Sequence, residues 1–419
     1  MPQTERGLTG FGGFLPPTRR PLEVFAVEHD SIQLTWAQLP SAEMSVELDG
    51  RSFEVGTPAP PWFRLQGRRR LGSGRAGPGA LTVRGLSPAT TYEVLLSGDG
   101  YQRRMVARAR TMEPPPGRLL SRFATISDCH FGERSFAPLK LLHDPRPRPR
   151  GLLPYTVRCA LAAISESERW GSEMIVAKGD LTQNAKRPEI ATAVEVLDAA
   201  NVPVAIALGN HDVRGPLDPV SILKESGFEA SVDASFRDLP GVRLVLGHSP
   251  IPERHSGRLP EQHVAEVAAL AGADRIEARP VVVVMHHPLR RWPVETHYPP
   301  SVRWRDSRKF ESAVLAANRS AIVLSGHTHR NRLYRAGGLW IAEVGSTKDY
   351  PGVWGGYSVY EGGIRQVVRR IERPDAIAWN EMTRRALGGV WGWWSPGRLG
   401  DRCWTLHWPD RVVRAVPAV

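Results

Sequence analysis

Cysteine is scarce in this 419-residue chain. Cys129, Cys159 and Cys403 are too few, and odd in number, for a disulfide framework, and no CxxC pair marks a zinc ribbon. Any metal must therefore be held by nitrogen and oxygen ligands. Long apolar runs are also missing: no stretch approaches the roughly 18 uninterrupted apolar residues of a spanning helix. Residues 1–21 lack the apolar run of roughly 7–15 residues that a secretory signal needs. These absences predict a cytoplasmic protein with no membrane span. Lysine is rare as well, at six of the 55 basic residues. The formal charge of +12 suits an anionic partner such as nucleic acid, a membrane surface or a phosphorylated substrate. So lopsided an arginine usage fits a solvated Arg-rich exterior at least as well.

What is present is a globular composition, with 41% apolar residues, 23% charged residues and 13 Trp. The length suggests about two to three domains. After a tail at 1–20, residues 21–112 carry short alternating apolar segments (31–36, 80–83 and 92–96) between Gly- and Pro-rich turns, which predicts an all-β sandwich. Trp36 on an early strand, and Gly85-Leu86-Ser87-Pro88-Ala89-Thr90-Thr91-Tyr92 before a later one, resemble the buried Trp and tyrosine corner of fibronectin type III domains. The Gly- and Arg-rich segment 67–79 departs from that pattern as a long loop. Residues 113–122 contain Glu113-Pro114-Pro115-Pro116-Gly117 and read as a stiff linker. From 123 to 372, apolar strands at 123–126, 174–177, 202–207, 242–246, 280–285 and 321–324 alternate with helix-like segments such as 156–170, 188–200 and 263–271, the texture of an α/β domain. Residues 373–419 form a Trp-rich extension, expected to pack on a domain surface.

In such folds, catalytic groups stand in loops just past the C-terminal ends of strands. Here those positions read Asp128-Cys129-His130, Gly179-Asp180, Gly209-Asn210-His211-Asp212, His286-His287-Pro288 and Gly326-His327-Thr328-His329. Each alone is weak, since a Gly-Asp pair is usually a turn and a lone His is usually structural. Five strand ends converging on Asp, Asn and His are hard to explain unless they bind something. Carboxylate, amide carbonyl and imidazole suit borderline first-row cations such as Zn, Mn or Fe. Alternation along an extended segment would turn Asp128 and His130 to one side with Cys129 on the other, and likewise pair His327 with His329. Asp180, leaving its strand through a Gly turn, is placed to bridge two divalent ions.

This ordered set resembles the calcineurin-like metallophosphoesterases, over residues from about 123 to 370. The resemblance implies a double β-sheet sandwich flanked by helices. It also implies one metal on Asp128, His130, Asp180 and His329, and a second on Asp180, Asn210, His286 and His327. His211 is then the catalytic non-ligand facing the substrate phosphate. His287 is the alternative to His286, but the family pattern places the ligand two residues before the Pro. The stretch His248-Ser249-Pro250-Ile251-Pro252, followed by Gly257-Arg258-Leu259, is similar to bacterial cyclic-nucleotide phosphodiesterases, although those usually carry Asp where His248 stands. A β-sandwich ahead of the catalytic domain is similar to the purple acid phosphatases, but Gly179-Asp180-Leu181-Thr182 offers no tyrosinate ligand.

The expected activity is hydrolysis of a small phosphorylated substrate, a phosphodiester such as a 3',5'-cyclic nucleotide or else a phosphomonoester. A nuclease and a non-catalytic scaffold are the alternatives. Arg214 and Arg330 follow metal motifs directly and are candidates to clamp an anionic substrate. Asp212 either orients His211 or caps a turn. His143, Asp144 and the basic segment 145–150 either overhang the site or form a solvated loop. Cys129 reads as buried filler.

Overall fold

The structure, a computed structural model, describes residues 21–56, 58–63, 75–136, 142–144, 148–273 and 279–409. The expected tail 1–20, residues 67–74 of the Gly/Arg loop, residues 145–147 of the basic segment and residues 410–419 lie outside the described residues. Among the described residues, no helix is long and apolar enough to cross a membrane.

The N-terminal unit holds β1 (Glu23–Val27), β2 (Ser31–Trp36), β3 (Met44–Leu48), β4 (Arg51–Glu54), β5 (Gly79–Arg84), β6 (Thr91–Gly98) and β7 (Tyr101–Arg110). They form two antiparallel sheets, ordered β1-β2-β5 and β4-β3-β6-β7. Between them lie Leu34, Trp36, Val46, Val94 and Leu96. The alternation in β6, with Tyr92, Val94 and Leu96 buried and Thr91 and Glu93 exposed, is the sequence pattern of a half-buried strand.

The larger unit runs through β8 (Leu119–Ile126), β9 (Ser135–Phe136), β10 (Leu142–His143), α1 (Tyr155–Trp170), β11 (Ile175–Ala177), α2 (Arg187–Asp198), β12 (Val204–Ile206) and α3 (Pro219–Glu225). It continues with β13 (Ser235–Leu239), β14 (Val242–Leu246), α4 (Glu261–Gly272), β15 (Val281–Val284), α5 (Trp304–Ala317), β16 (Ile322–Ser325), β17 (Arg332–Ala336) and β18 (Leu339–Glu343). Last come β19 (Val353–Tyr360), β20 (Gly363–Arg370), α6 (Pro374–Thr383), α7 (Val390–Trp394), α8 (Leu399–Arg402) and β21 (Cys403–His407).

Two six-stranded sheets result, ordered β12-β11-β8-β19-β20-β21 and β13-β14-β15-β16-β18-β17. Phe123, Val176, Ala205, Leu244, Val282, Val284 and Leu324 meet between the sheets. The alternate residues turn outward: Ile126, Ile175 and Ala177 pack under α1 and α2, and Val281, Val283 and Val323 under α4 and α5. Strands buried on both faces must be apolar throughout, which is why they read as short hydrophobic runs. This is the α/β sandwich flanked by helices, preceded by an all-β region. The Trp-rich extension supplies the edge strand β21, paired antiparallel with β20. Trp404 and Trp408 enter the core between the sheets, and Trp379 stacks on Tyr155 of α1 at 3.9 Å between ring centroids.

Candidate metal centre

The candidates stand on the loops after β8 (Asp128, His130), β11 (Asp180), β12 (Asn210, His211), β15 (His286) and β16 (His327, His329). Three of these strands belong to the first sheet and two to the second, so the cluster spans both. The alternation expected for Asp128 and His130 along an extended segment does not form. β8 stops at Ile126, and both residues take the left-handed backbone, with φ of 55° and 49°. His327 (70°) and His329 (53°) do the same, as does Asp180 (51°). Left-handed turns fold the side chains back over the strand ends while Cys129 drops into the core under α1.

These five account for half of the ten non-glycine residues of positive φ among the described residues. Each costs on the order of 1–3 kcal/mol and persists only where its surroundings enforce it. Close backbone approach enforces it here. A Cβ on Gly209 would stand 2.1 Å from the Asp180 amide nitrogen, and one on Gly326 1.9 Å from Ser127 Oγ.

Four imidazoles share one arrangement. The outer nitrogen of each donates to a fixed acceptor: His130 Nδ1 to Gln183 Oε1 (2.9 Å), His286 Nδ1 to the Lys178 carbonyl (2.8 Å), His327 Nε2 to the Pro300 carbonyl (3.1 Å) and His329 Nδ1 to Asp349 Oδ2 (2.9 Å). The inner nitrogens converge. His286 Nε2 lies 3.1 Å from His327 Nδ1, 3.2 Å from Asn210 Oδ1 and 3.3 Å from Asp180 Oδ2. His130 Nε2 lies 3.4 Å from His329 Nε2 and 3.6 Å from Asp180 Oδ2, and His329 Nε2 lies 3.4 Å from Asp128 Oδ1. An N–H fixed on the outer nitrogen leaves the inner lone pair free, the tautomer a ligand needs. Asp128 His130 His329 and Asp128 Asp180 His286 each bring their ligand atoms within 4.8 Å of one another. The buried Nδ2 of Asn210 has no hydrogen-bond partner among the described residues, while its carbonyl oxygen faces the cluster. This donor set fits two borderline divalent cations.

Charge inside the cluster is tightly coupled. Burial works to raise Asp180, but His286 and His211 outweigh it and hold the carboxyl well below the usual range. Burial pulls His286 down, yet Asp180 lifts it to about 9. Burial holds His130 and His327 well below the ordinary imidazole value, with neighbouring imidazoles adding to the effect. Burial also brings Lys178, whose Nζ donates to the Ser325 carbonyl at 2.7 Å, down to about 7.

His211 sits beside the cluster, its ring 4.5 Å from that of His130 between centroids. Its Nδ1 donates to the Gln183 carbonyl at 2.7 Å, and burial lowers its pKa. Of the two readings of Asp212, the turn is the one observed: the carboxylate accepts from the amides of Leu181, Thr182 and Gly209. Asp144 accepts from Tyr155 N and Arg158, tying it to the start of α1. His287 has both ring nitrogens engaged, by Ser249 Oγ (2.9 Å) and the His255 carbonyl (3.2 Å). Arg214 donates to His255 Nδ1 at 3.1 Å, and Arg330 lies over the Trp394 ring at 4.6 Å. Gln183, Pro300 and Asp349, three of the four partners of the outer nitrogens, carry no motif. Only the adjacent Lys348-Asp349 pair, in an otherwise weakly charged stretch, hints at its site.

None of the curated proteins compared matches the chain. Solved structures of similar fold include a dimetal phosphatase from Danio rerio, at 16% identity and a TM-score of 0.48, covering 60% of this chain and 97% of that one. Purple acid phosphatase PPD1 from yellow lupin is similar at 13% identity and a TM-score of 0.43, covering 85% of this chain and 72% of that one. The calcineurin-like phosphoesterase family matches residues 121–331, half of the sequence. With that match laid over the gathered Asp, Asn and His side chains, the chain belongs to the calcineurin-like phosphoesterases and is a metal-dependent phosphoric ester hydrolase with a dinuclear centre.

Proposed function

We propose that Asp128, His130, Asp180 and His329 hold one divalent ion, that Asp180, Asn210, His286 and His327 hold a second, and that the centre hydrolyses phosphodiesters, 3',5'-cyclic nucleotides among them. The observation that carries this is the common orientation of four imidazoles, each with its outer N–H fixed and its inner nitrogen turned into the cluster, those of His130 and His286 to Asp180, that of His329 to Asp128 and that of His327 to His286 Nε2. Mn, Fe or Zn suits these donors. Bound there, the ions supply Lewis acidity toward the phosphoryl oxygens and generate the nucleophile from water near neutral pH. Asp180, with His130 and His286 on its Oδ2, would be a ligand to both ions. The Nδ1–H of His211 is committed to Gln183, so the proton it would give the departing oxygen is the one on Nε2. Arg214, whose charge acts on His211, and Arg330, next in sequence to His329, would meet an anionic substrate.

Elemental analysis joined to a panel of mono-, di- and cyclic phosphate esters tests the reading. Two ions per chain and turnover of a diester are expected. Asp180→Asn should bring metal below two per chain and lower turnover by at least about 10²-fold, beyond what loss of an outer partner costs. An inactive mutant that keeps both ions would remove the bridging role.

The N-terminal unit we read as fibronectin type III-like and structural. Supporting this, the Tyr92 hydroxyl accepts from Ser87 N–H at 2.8 Å, five residues upstream, and Trp36 is buried on β2. A cytoplasmic location fits three cysteines that are all buried and unpaired.

A further inference from the structure

The basic stretch after His143 has no part in the chemistry above, yet Arg148 within it helps to wall a separate feature. A cavity of about 410 Å³ is bounded by residues of the loop that follows His130 and of the first turn of α1, a volume within the range of small-molecule sites. None of the candidate metal ligands lines it. Its walls carry two carboxylates, and both are already matched. Asp144 takes Arg158 Nη1 at 3.0 Å and Tyr155 N at 3.1 Å, and Glu133 takes Lys348 Nζ at 2.6 Å and the Tyr155 hydroxyl at 2.9 Å. The donors are not matched. Arg134 has no hydrogen-bond or ion-pair partner among the described residues, and Arg148 reaches only Asp144, at 3.8 Å, beyond hydrogen-bond length. Thr156 is 1% exposed, yet its hydroxyl has no hydrogen-bond partner among the described residues. The amides of Thr156 and Val157 lack acceptors there too, and amides in a first turn have none inside their own helix.

One cavity thus gathers two guanidinium groups, a buried hydroxyl and two amides at the positive end of a 16-residue helix, all without acceptors. A neutral or cationic ligand would leave both guanidinium groups without a counter-charge. An oxyanion supplies it, and a tetrahedral phosphate carries enough oxygens to meet side-chain and backbone donors together. We propose that this cavity is a second phosphate-group site, apart from the metal centre, held by Arg134, Arg148, Thr156 and the first-turn amides of α1. The phosphate group is that of a small phosphomonoester or inorganic phosphate itself, and a phosphoric ester hydrolase releases such groups at each turnover. The site does not depend on which ester the metal centre takes.

The test is calorimetric titration of the metal-loaded full chain with inorganic phosphate and with propylphosphonate, an ester mimic whose carbon link cannot be hydrolysed. Arg134→Gln combined with Arg148→Gln should weaken one phosphate-binding event about tenfold or more, as the loss of two charged hydrogen-bond donors implies. Thr156→Val should weaken the same event about threefold, and Thr156→Ser should keep it. Turnover of a phosphate ester at low phosphate should be unchanged in all three variants. Tighter binding of propylphosphonate at this event assigns the site to a phosphomonoester, and tighter binding of inorganic phosphate assigns it to the free ion. A titration that the arginine substitutions leave unchanged overturns the proposal. Ester turnover that falls in step with the lost binding overturns it as well, because the arginines would then serve the metal centre. So does an event that chloride displaces as readily as phosphate, which would mark loose charge rather than a site.

Discussion

Asp349 shows how a single buried carboxylate can govern a metal position it does not touch. Its Oδ2 takes the Nδ1–H of His329 at 2.9 Å and the ammonium of Lys348 at 3.0 Å. Lys348 also reaches Glu133 at 2.6 Å, and Glu133 N in turn donates to the His130 carbonyl. The loops of His130 and His329 are thus braced to each other through two carboxylates and one cation. Asp349→Asn keeps an acceptor for His329 but loses the charge. Affinity at one of the two metal positions should fall about 10–100-fold while the other is unchanged, as read by metal titration calorimetry. Equal loss at both positions, or none, would show that the brace is structural only. At this scale the candidate ligands were legible because they come as short motifs at strand ends. Their supports were not, because a backbone carbonyl such as that of Pro300 leaves no mark in a sequence, Gln183 lies just past the Gly179-Asp180 motif with nothing to single it out, and Asp349 is a single acidic residue outside the motifs. The left-handed turns were also hidden, since Asp128 and His130 look like alternating strand positions until the backbone is seen.

Among the elements, β8, β11, β14, β15 and β16 could be read from apolar runs, because both faces of each are buried. β20 could not. Its sequence, Gly363-Ile364-Arg365-Gln366-Val367-Val368-Arg369-Arg370, looks like a surface strand, yet every residue is buried because the N-terminal unit covers it. α5 escaped for a similar reason: its buried face, Ser307, Phe310, Glu311 and Val314, has helical spacing but two polar members. α1 offers a measurable case of a polar group forced inside. Glu166 accepts from the amides of Glu372 (2.9 Å) and Arg373 (3.1 Å), joining α1 to the start of α6. Burial raises its carboxyl to about 7. The folded state therefore holds a proton that the unfolded chain gives up near 4.5. That contribution to stability is full below about pH 4.5 and is lost as pH rises through about 7, a change of up to roughly 3 kcal/mol. Urea unfolding at pH 5 and pH 8 should show this loss in the wild type and little of it in Glu166→Gln. Parallel behaviour of the two proteins would assign the slope to other groups.

Taken whole, the two units share a core, since that of the N-terminal unit includes Val344, Val353, Val367, Val368 and Cys403 of the catalytic unit. Gln33 closes the joint by bonding both the amide and the carbonyl of Arg370, at 2.8 and 3.0 Å. Beside it the buried Arg369 guanidinium pairs with Glu28 and lies over the rings of Trp170 and Trp354 at 5.0 and 5.3 Å. Removing one partner of such a pair strands a charge. Glu28→Ala should cost about 3–5 kcal/mol, and Glu28→Leu with Arg369→Met should recover most of it. Denaturant unfolding of the wild type and these two variants decides the matter, and a cost below about 1 kcal/mol for Glu28→Ala would mean a wet, loose joint. The same joint sets an order of events on the ribosome. Val27 meets Cys403 across 376 residues of chain. At roughly 5–20 residues per second, β1 emerges about 20–75 s before the β21 strand it meets. For that interval the apolar flank of β1 lacks its cover, and the window in which a chaperone can shield it is fixed by where β1 and β21 stand in the chain.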